Sequence, residues 1–502
     1  MWAKILPDRR EVLRSSAQAG PLAHAAPCAW AGGSGRIEQV AGTWSPGLAL
    51  GPWNEGPSQD VRRRRDAQRW SNLLDGPGGA RQVRDQVPDL NHSVPDANHV
   101  ALDADDPAPG LHGRVPERHE GVREPHDWVI VGGGPHGVCA GQALHAQGAS
   151  IRIIEPSGRL LHRWGSRASA VGMTWMRSPV GHHLDAQPGS LHQFLHLREN
   201  AEVAELAGTF RRPTYDAFLR HSRALVARHR LDEAVIPGRV DSIRTERDHL
   251  LVQGQGVEIA ARRVLIATGS NVPRTPPWAR RLQREGAPIH HAFGPGAQLD
   301  HDILGGGISA VQRALMVRRS TGQTVRLWMR RPVRVADFDV DRSWAKHRFV
   351  GRWVDLQVSE RLNFLHRHAV GGSVPSGLAS RLARAVRRGS IELQLEAPSV
   401  EWDAAKEHLV LRGGGRVVES SGLTLATGLQ RETVTGWLRT SAERLGLPII
   451  NGIPRLDSDM HWGRGVHVCG PLARLRLGPM ATNIIGARWA ASKLPSVRMQ
   501  PV

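Results

Sequence analysis

The apolar and polar positions change their pattern at Asp127. Trp128-Val129-Ile130-Val131 is a short unbroken apolar run, the signature of a strand covered on both faces of a parallel sheet. A glycine-rich turn comes next, then a helical stretch from Val138 to Gln147, then a second strand, Ser150-Ile151-Arg152-Ile153-Ile154. The order recurs at His301-Asp302-Ile303-Leu304, whose partner strand is Thr324-Val325-Arg326-Leu327-Trp328-Met329. Two more apolar strands end alike, Val264-Leu265-Ile266-Ala267-Thr268-Gly269 and Leu423-Thr424-Leu425-Ala426-Thr427-Gly428. Short β-like segments around Ser242-Ile243, Leu250-Leu251-Val252 and Val257-Glu258-Ile259 predict a small meander before the first of these. The stretch from Tyr215 to Val226 reads as core, with Phe218, Leu219 and Leu225. Ser376 to Arg388, ended by Gly389, reads as a helix with Leu378, Leu382 and Val386 on one side and arginines largely on the other. The pattern predicts an α/β chain with two Rossmann-like, doubly wound units.

The two glycine turns carry the chemistry. Gly132, Gly134 and Gly137 meet the GxGxxG spacing. The first permits a tight turn, the second lets backbone approach a pyrophosphate, and the third lets the helix pack closely on the strand. The helix N-terminus then faces the phosphates. The next strand ends at Glu155, about 20 residues on, where a carboxylate accepts ribose hydroxyls. In the second unit Gly305, Gly307 and Ala310 take the three positions, with alanine at the helix-packing site. Its partner strand ends at Arg330-Arg331 instead of an acid. A guanidinium there suits a 2′-phosphate, so NADPH is expected at the second unit. The competing reading is a solvated loop in an arginine-rich chain.

The first 125 residues differ from the rest. They contain no Phe or Tyr, only Ile5 and Ile37 as isoleucines, and no apolar periodicity, so they read as a disordered or loosely ordered extension. An upstream start-site artefact is the other reading, because no internal Met precedes Met173. Asp8 to Arg14 faintly resembles a twin-arginine export signal, but Gln18, Pro21, His24 and Pro27 interrupt the stretch beyond it, and a cytoplasmic enzyme is expected.

Composition changes this picture little. The 502 residues are 40% hydrophobic and 23% charged, which suits two or three soluble domains. No run of about 18 apolar residues suggests a membrane span. The net charge of +19 raises nucleic-acid binding. Yet Lys occurs only at positions 4, 346, 406 and 493, and the one dense basic run, Arg62 to Arg65, lies in the extension. No nucleic-acid partner is expected. Cys28, Cys139 and Cys469 form neither CxxC nor CxxxxC, so the dithiol of disulfide reductases is not expected.

With these motifs the chain from Asp127 to Lys493 resembles the two-dinucleotide-domain flavoproteins, in which ATG turns mark the crossings between FAD and NAD(P)H domains. The resemblance implies an FAD domain over 126–298 and 432–493, interrupted by an NAD(P)H domain over 299–431. Within that superfamily, three segments resemble the flavin-dependent monooxygenases that N-hydroxylate ornithine, lysine and other amines. They are Trp175-Met176-Arg177-Ser178-Pro179 with His182-His183-Leu184-Asp185, Asp337 to Trp344, and Leu477-Gly478-Pro479-Met480-Ala481-Thr482-Asn483. The resemblance implies hydride transfer from NADPH to FAD, reaction with O₂ to a flavin hydroperoxide, and oxygen transfer to a small amine or another soft nucleophile. Its competitors are a reductase or dehydrogenase that inserts no oxygen, and a non-catalytic nucleotide-binding redox sensor.

Further site residues follow from the same likeness. Thr268 and Gly269 belong to the first ATG turn, and Gly470 stands where related flavoproteins carry a Gly-Asp pair, here Gly470-Pro471. Gly478 and Pro479 are expected to enter a helix whose N-terminus faces the flavin, with Arg488 left to solvent. Arg163, Trp164 and Arg167 follow the ribose acid and are candidates to cover the adenine or pyrophosphate. His182, His183 and Asp185 are candidates for positioning or proton transfer, although paired histidines in loops are more often structural. Their spacing does not suggest a metal site. The oligomeric state is not legible.

Overall fold

A computed structural model describes residues 124–197, 206–270, 272–294, 298–340, 344, 347–368 and 372–496, with Gln68 besides. All belong to the unit Pro57–Val502. The expected N-terminal extension and positions 341–343 lie outside the described residues, apart from Gln68, Glu124 and Pro125.

Two parallel sheets organise the chain. In the first, β1 (His126–Val131) lies between β2 (Ile151–Glu155) and β3 (Val257–Ile266), with Ile130 opposite both Ile153 and Leu265. Strands Val235–Pro237 and Val466–Val468 extend it on either side. Trp128, Val129 and Ile130 are wholly buried because clusters of apolar side chains cover both faces, as the unbroken run requires. The expected meander is Arg239–Glu246, His249–Gln255 and β3, paired antiparallel.

α1 (Pro135–His145) starts with Pro135 in its first turn, where the missing amide costs nothing, and Gly134 is its N-cap. α2 (Tyr215–Arg228) is capped by Thr214, whose side chain accepts the Ala217 amide at 3.1 Å. Its Phe218 and Leu225 are buried.

The second sheet runs in the order 391–394, β5 (Val325–Trp328), β4 (Asp302–Leu304), β6 (Leu423–Leu425), 289–291, all parallel. α3 (Ile308–Thr321) joins β4 to β5 and stops at Gly322, which takes a left-handed φ of 69°. The sheet begins at Ile289, ahead of the expected boundary at 299. Ile289-His290-His291 carries no apolar run that would mark it as a strand; its register comes from pairing with β6. α4 (Val358–His368) is followed by α5 (Ser376–Arg387), which packs beside α3 and buries Ala379, Leu382 and Ala383.

The two crossings lie side by side. The Arg274 amide donates to Gly428 O at 2.9 Å and the Gln430 amide to Val272 O at 2.8 Å, so both ATG turns open onto one paired linker. No described helix is long and apolar enough to cross a membrane.

Asp302 fixes the base of the second sheet. It is fully buried, accepts two hydrogen bonds from Arg326 at 2.7 and 2.6 Å, and accepts the Trp328 indole N–H at 2.9 Å. Removing it strands two donors, one of them charged. Asp302→Ala is therefore expected to lose on the order of 3 kcal/mol, read as a lowered urea midpoint; an unchanged midpoint would refute this role.

Candidate functional site

The first glycine turn has the shape that a bound phosphate would need. Gly132 has a φ of 113°, and a Cβ there would stand 2.6 Å from Ala267 O, so the turn needs glycine twice over. A Cβ on Gly137 would stand 1.9 Å from Gly132 O, which is how closely α1 packs on the turn. In front of Gly134 no described residue lies within 4 Å. The first-turn amides of α1, which no side chain caps, face that opening. Glu155 ends β2 nearly buried, with one carboxylate oxygen accepting the Gly133 amide at 2.9 Å and the other the Ser157 hydroxyl at 3.3 Å. Gly269, with a φ of 65°, likewise has open space before it. These residues fit an FAD whose pyrophosphate meets Gly134 and whose ribose meets Glu155.

The second turn differs at its middle glycine. Gly305 repeats the close approach, 2.5 Å from Ala426 O, and Ala310 is wholly buried against it. A Cβ on Gly307 would stand 3.0 Å from Gly372 Cα, so the bareness of this glycine admits the chain's own backbone. Arg330 and Arg331 are exposed, and Arg331 O lies 3.9 Å from where a Gly306 Cβ would be. Neither guanidinium has an ion-pair partner among the described residues, which leaves both free for a phosphate beside the turn.

The C-terminal segment departs from expectation. Gly478–Thr482 is a 3-10 turn, and the helix, α6 (Ile484–Ala491), starts only after Asn483 breaks out at φ −96°, ψ 164°. Gly478, at φ 72°, leaves room for the Trp353 ring, 3.2 Å from its would-be Cβ. Pro479 occupies the first turn of the 3-10 segment. Arg488 keeps part of its surface in solvent and also donates to Gly181 O at 3.3 Å and Ala186 O at 3.1 Å.

His136, inside the first glycine motif, ties this segment to the cradle. Its Nε2 bonds Ala481 O at 2.9 Å, and its ring lies 3.6 Å from where a Gly470 Cβ would be. Burial pushes its pKa down to about 4, so the ring is neutral at pH 7 and donates Nε2–H to the carbonyl. The sequence alone assigns this residue no role, since nothing local signals a partner 345 positions away.

Of the His182, His183 and Asp185 group, Asp185 accepts the Gln142 side-chain amide of α1 at 3.0 Å. Asp185 is buried, and burial alone would raise its pKa. Hydrogen bonds from the Gln187 amide, Arg228, Ser190 and Gln142 instead hold it at about 2. His183 is wholly buried, neither ring nitrogen has a hydrogen-bond partner, and burial, then Arg488 and His221, lower its pKa to about 4. Burial also lowers that of His182. Arg167 donates to Ser270 O and lies over the Phe293 ring, while Trp164 packs on Tyr215 and Phe218. Among the described residues no cluster of three or more His, Cys, Asp or Glu could hold a metal.

A cross-unit clamp was missed by sequence reasoning. Arg177 and Arg212 of the first unit reach Asp339 and Asp337 of the second at 2.7 and 3.1 Å. Arg177 also donates to Ser373 Oγ at 2.6 Å and Ala336 O at 2.9 Å. The arginine and aspartate motifs are two halves of one contact. Farther along, Arg313 of α3 donates to Ala170 O across the same seam. Trp353 and Arg361, from helices inserted in the second unit, both donate to Leu475 O, at 3.1 and 3.0 Å.

Residues 129–271 match a family model described as FAD-NAD(P)-binding. Comparison with curated proteins finds no match. Among solved structures, the ornithine N-hydroxylase KtzI of Kutzneria sp. 744 is similar at a TM-score of 0.59 and 16% identity, over 74% of this chain and 98% of that one. The cadaverine monooxygenase DfoA of Erwinia amylovora is similar at 0.55 and 12%, over 76% and 98%. These likenesses establish the two-dinucleotide flavoprotein fold. Bacillithiol disulfide reductase from Staphylococcus aureus follows at 0.47 and 15%, over 74% and 97%.

Two outcomes are expected of this geometry. Gly134→Ala, with open space before it, is expected to fold normally and lose FAD, whereas Gly137→Ala, 1.9 Å from a carbonyl, is expected to fail to fold; flavin absorbance and circular dichroism of the two purified variants separate them, and full FAD occupancy in Gly134→Ala would contradict the cradle. His183 has a folded pKa below its unfolded 6.5, so its contribution is intact above pH 6.5 and is lost as pH falls toward about 4. His183→Leu should therefore show a smaller drop in melting temperature from pH 7.5 to 5 than the parent, with flavin reduction by NADPH within about twofold; a reduction rate lowered about a hundredfold would make His183 catalytic.

Proposed function

We propose that this chain is an FAD-dependent oxidoreductase reduced by NADPH, and that it acts as a monooxygenase on a small amine or another soft nucleophile. The observation that carries the reading is the pair of unlike glycine turns held in one clamped body. One turn faces open space and adjoins a buried carboxylate; the other adjoins two free arginines. Bound FAD would supply hydride acceptance and, once reduced, activation of O₂. The chain's own residues position the two dinucleotides, through Gly134 and Glu155 on one side and Gly305, Arg330 and Arg331 on the other.

Two thiols support oxygen as the acceptor over a disulfide. Cys139 and Cys469 are both fully enclosed. Burial pushes the Cys139 thiol up to about 12 and raises that of Cys469 as well. Neither is available as a thiolate for exchange. The fold shared with ornithine and cadaverine monooxygenases adds amines as the first substrates to try. The balanced reaction is R–NH₂ + NADPH + H⁺ + O₂ → R–NHOH + NADP⁺ + H₂O.

The test supplies FAD-loaded protein with NADPH under argon, then admits oxygen with ornithine, lysine or cadaverine. Bleaching followed by a hydroxylamine is expected. Bleaching followed by stoichiometric hydrogen peroxide with every amine would favour a reductase, and no bleaching would favour a nucleotide-binding sensor. In Arg330→Ala with Arg331→Ala the preference for NADPH over NADH should fall by about tenfold or more; an unchanged preference would refute the phosphate clamp.

A further inference from the structure

The glycine turns lie at the carboxyl ends of their strands, where open α/β sheets bind their ligands. A different cavity lies behind the second turn, along the flank of α3. α5 closes one side of it, and residues 172–177 and 207–212 of the first unit close the other. Behind an open mouth it encloses about 100 Å³, room for several water-sized groups.

The lining has three parts. Trp175, Met176, Leu315, Met316 and Leu378 make its walls apolar. Gln312 is only 8% exposed and lines the cavity, and its amide has no hydrogen-bond partner among the described residues. Arg319 and Arg381 also line it, and neither has an ion-pair partner among the described residues. Arg177 and Arg212, by contrast, are matched by the seam aspartates. Arg319 is exposed and Arg381 half-buried, and burial, then the charges of Arg319 and Arg384, disfavour the charged form of Arg381.

Spacing sets the length of what fits. Ile308, Gln312, Leu315 and Arg319 follow one face of α3 at intervals of three and four. Gln312 and Arg319 are seven residues apart, about 10 Å along the helix axis.

We propose that this seam cavity binds a small amphipathic carboxylate, distinct from either dinucleotide. Its anionic head lies between Arg319 and Arg381, its hydrocarbon body lies against Met316 and Leu378, and a distal polar group meets Gln312. Charge complementarity selects an anion, the apolar walls select a chain or ring over a sugar, and Gln312 selects a far-end hydroxyl, carbonyl or amide. The site does not depend on the oxygen-transfer reading.

Calorimetry on FAD-loaded protein saturated with NADP⁺, so that the nucleotide arginines are occupied, tests it with three probes. 10-Hydroxydecanoate should bind more tightly than decanoate, and 1,10-decanediol at least tenfold more weakly than either. Arg319→Ala with Arg381→Ala should remove the preference for the carboxylates. Gln312→Leu should remove the advantage of the hydroxyl and leave decanoate unchanged. Both variants should keep full FAD occupancy and the parental rate of bleaching by NADPH, which reports on folding and on the dinucleotide sites. No heat from either carboxylate at millimolar concentration would overturn the proposal, as would equal affinity for the diol or carboxylate binding that the arginine substitutions leave intact.

Discussion

Arg177 and Arg212 cross from the first dinucleotide unit to Asp339 and Asp337 of the second, and the usefulness of both nucleotide turns depends on that contact. Each turn is a local device, made by glycines in its own strand-turn-helix unit. Hydride transfer between two bound dinucleotides is a question of relative placement, and neither turn sets it. The linker strands pair at Pro273 and Leu429, and the seam adds hydrogen bonds from Arg177 and Arg212 to backbone carbonyls of the second unit. Half-buried ion pairs suit this role through geometry: the guanidinium fork is planar, and its partners include backbone carbonyls that cannot be displaced without moving a whole segment.

What the sequence shows and what it hides divide along the same line. β1 is legible because a strand covered on both faces needs an unbroken apolar run, β2, β4 and β5 because mostly apolar segments flank the glycine turns, and the turns because only glycine tolerates the approaches at Gly132, Gly137 and Gly305. Glu155 is legible from its distance to the glycines. Features formed by segments far apart in the chain are not. Nothing near His136 announces Ala481, and nothing near Arg177 announces Asp339. The strand at Ile289–His291 also escapes, since three residues with two histidines acquire their identity only from the neighbour they pair with.

The C-terminal turn shows why a motif can be read correctly as a place and differently as a part. Pro479 suggests a helix start, yet Asn483 delays the helix, and Gly478 makes room for an indole. The same residue type therefore leaves open space at Gly134, admits a backbone at Gly307 and a side chain at Gly478. Likewise His183 and Asp185, conspicuous beside each other, belong to a buried support under α1, whose stability is what keeps the cradle in shape.

The seam is the contact on which hydride transfer most depends. The direct measurement is the anaerobic rate of flavin bleaching at saturating NADPH in Arg177→Leu and Asp339→Asn, compared with the parent in stopped flow. Full FAD occupancy and a rate lowered by about tenfold or more are predicted, because small misplacements of reacting groups cost that much. Bleaching at the parental rate in both variants, with FAD retained, would contradict the seam's role.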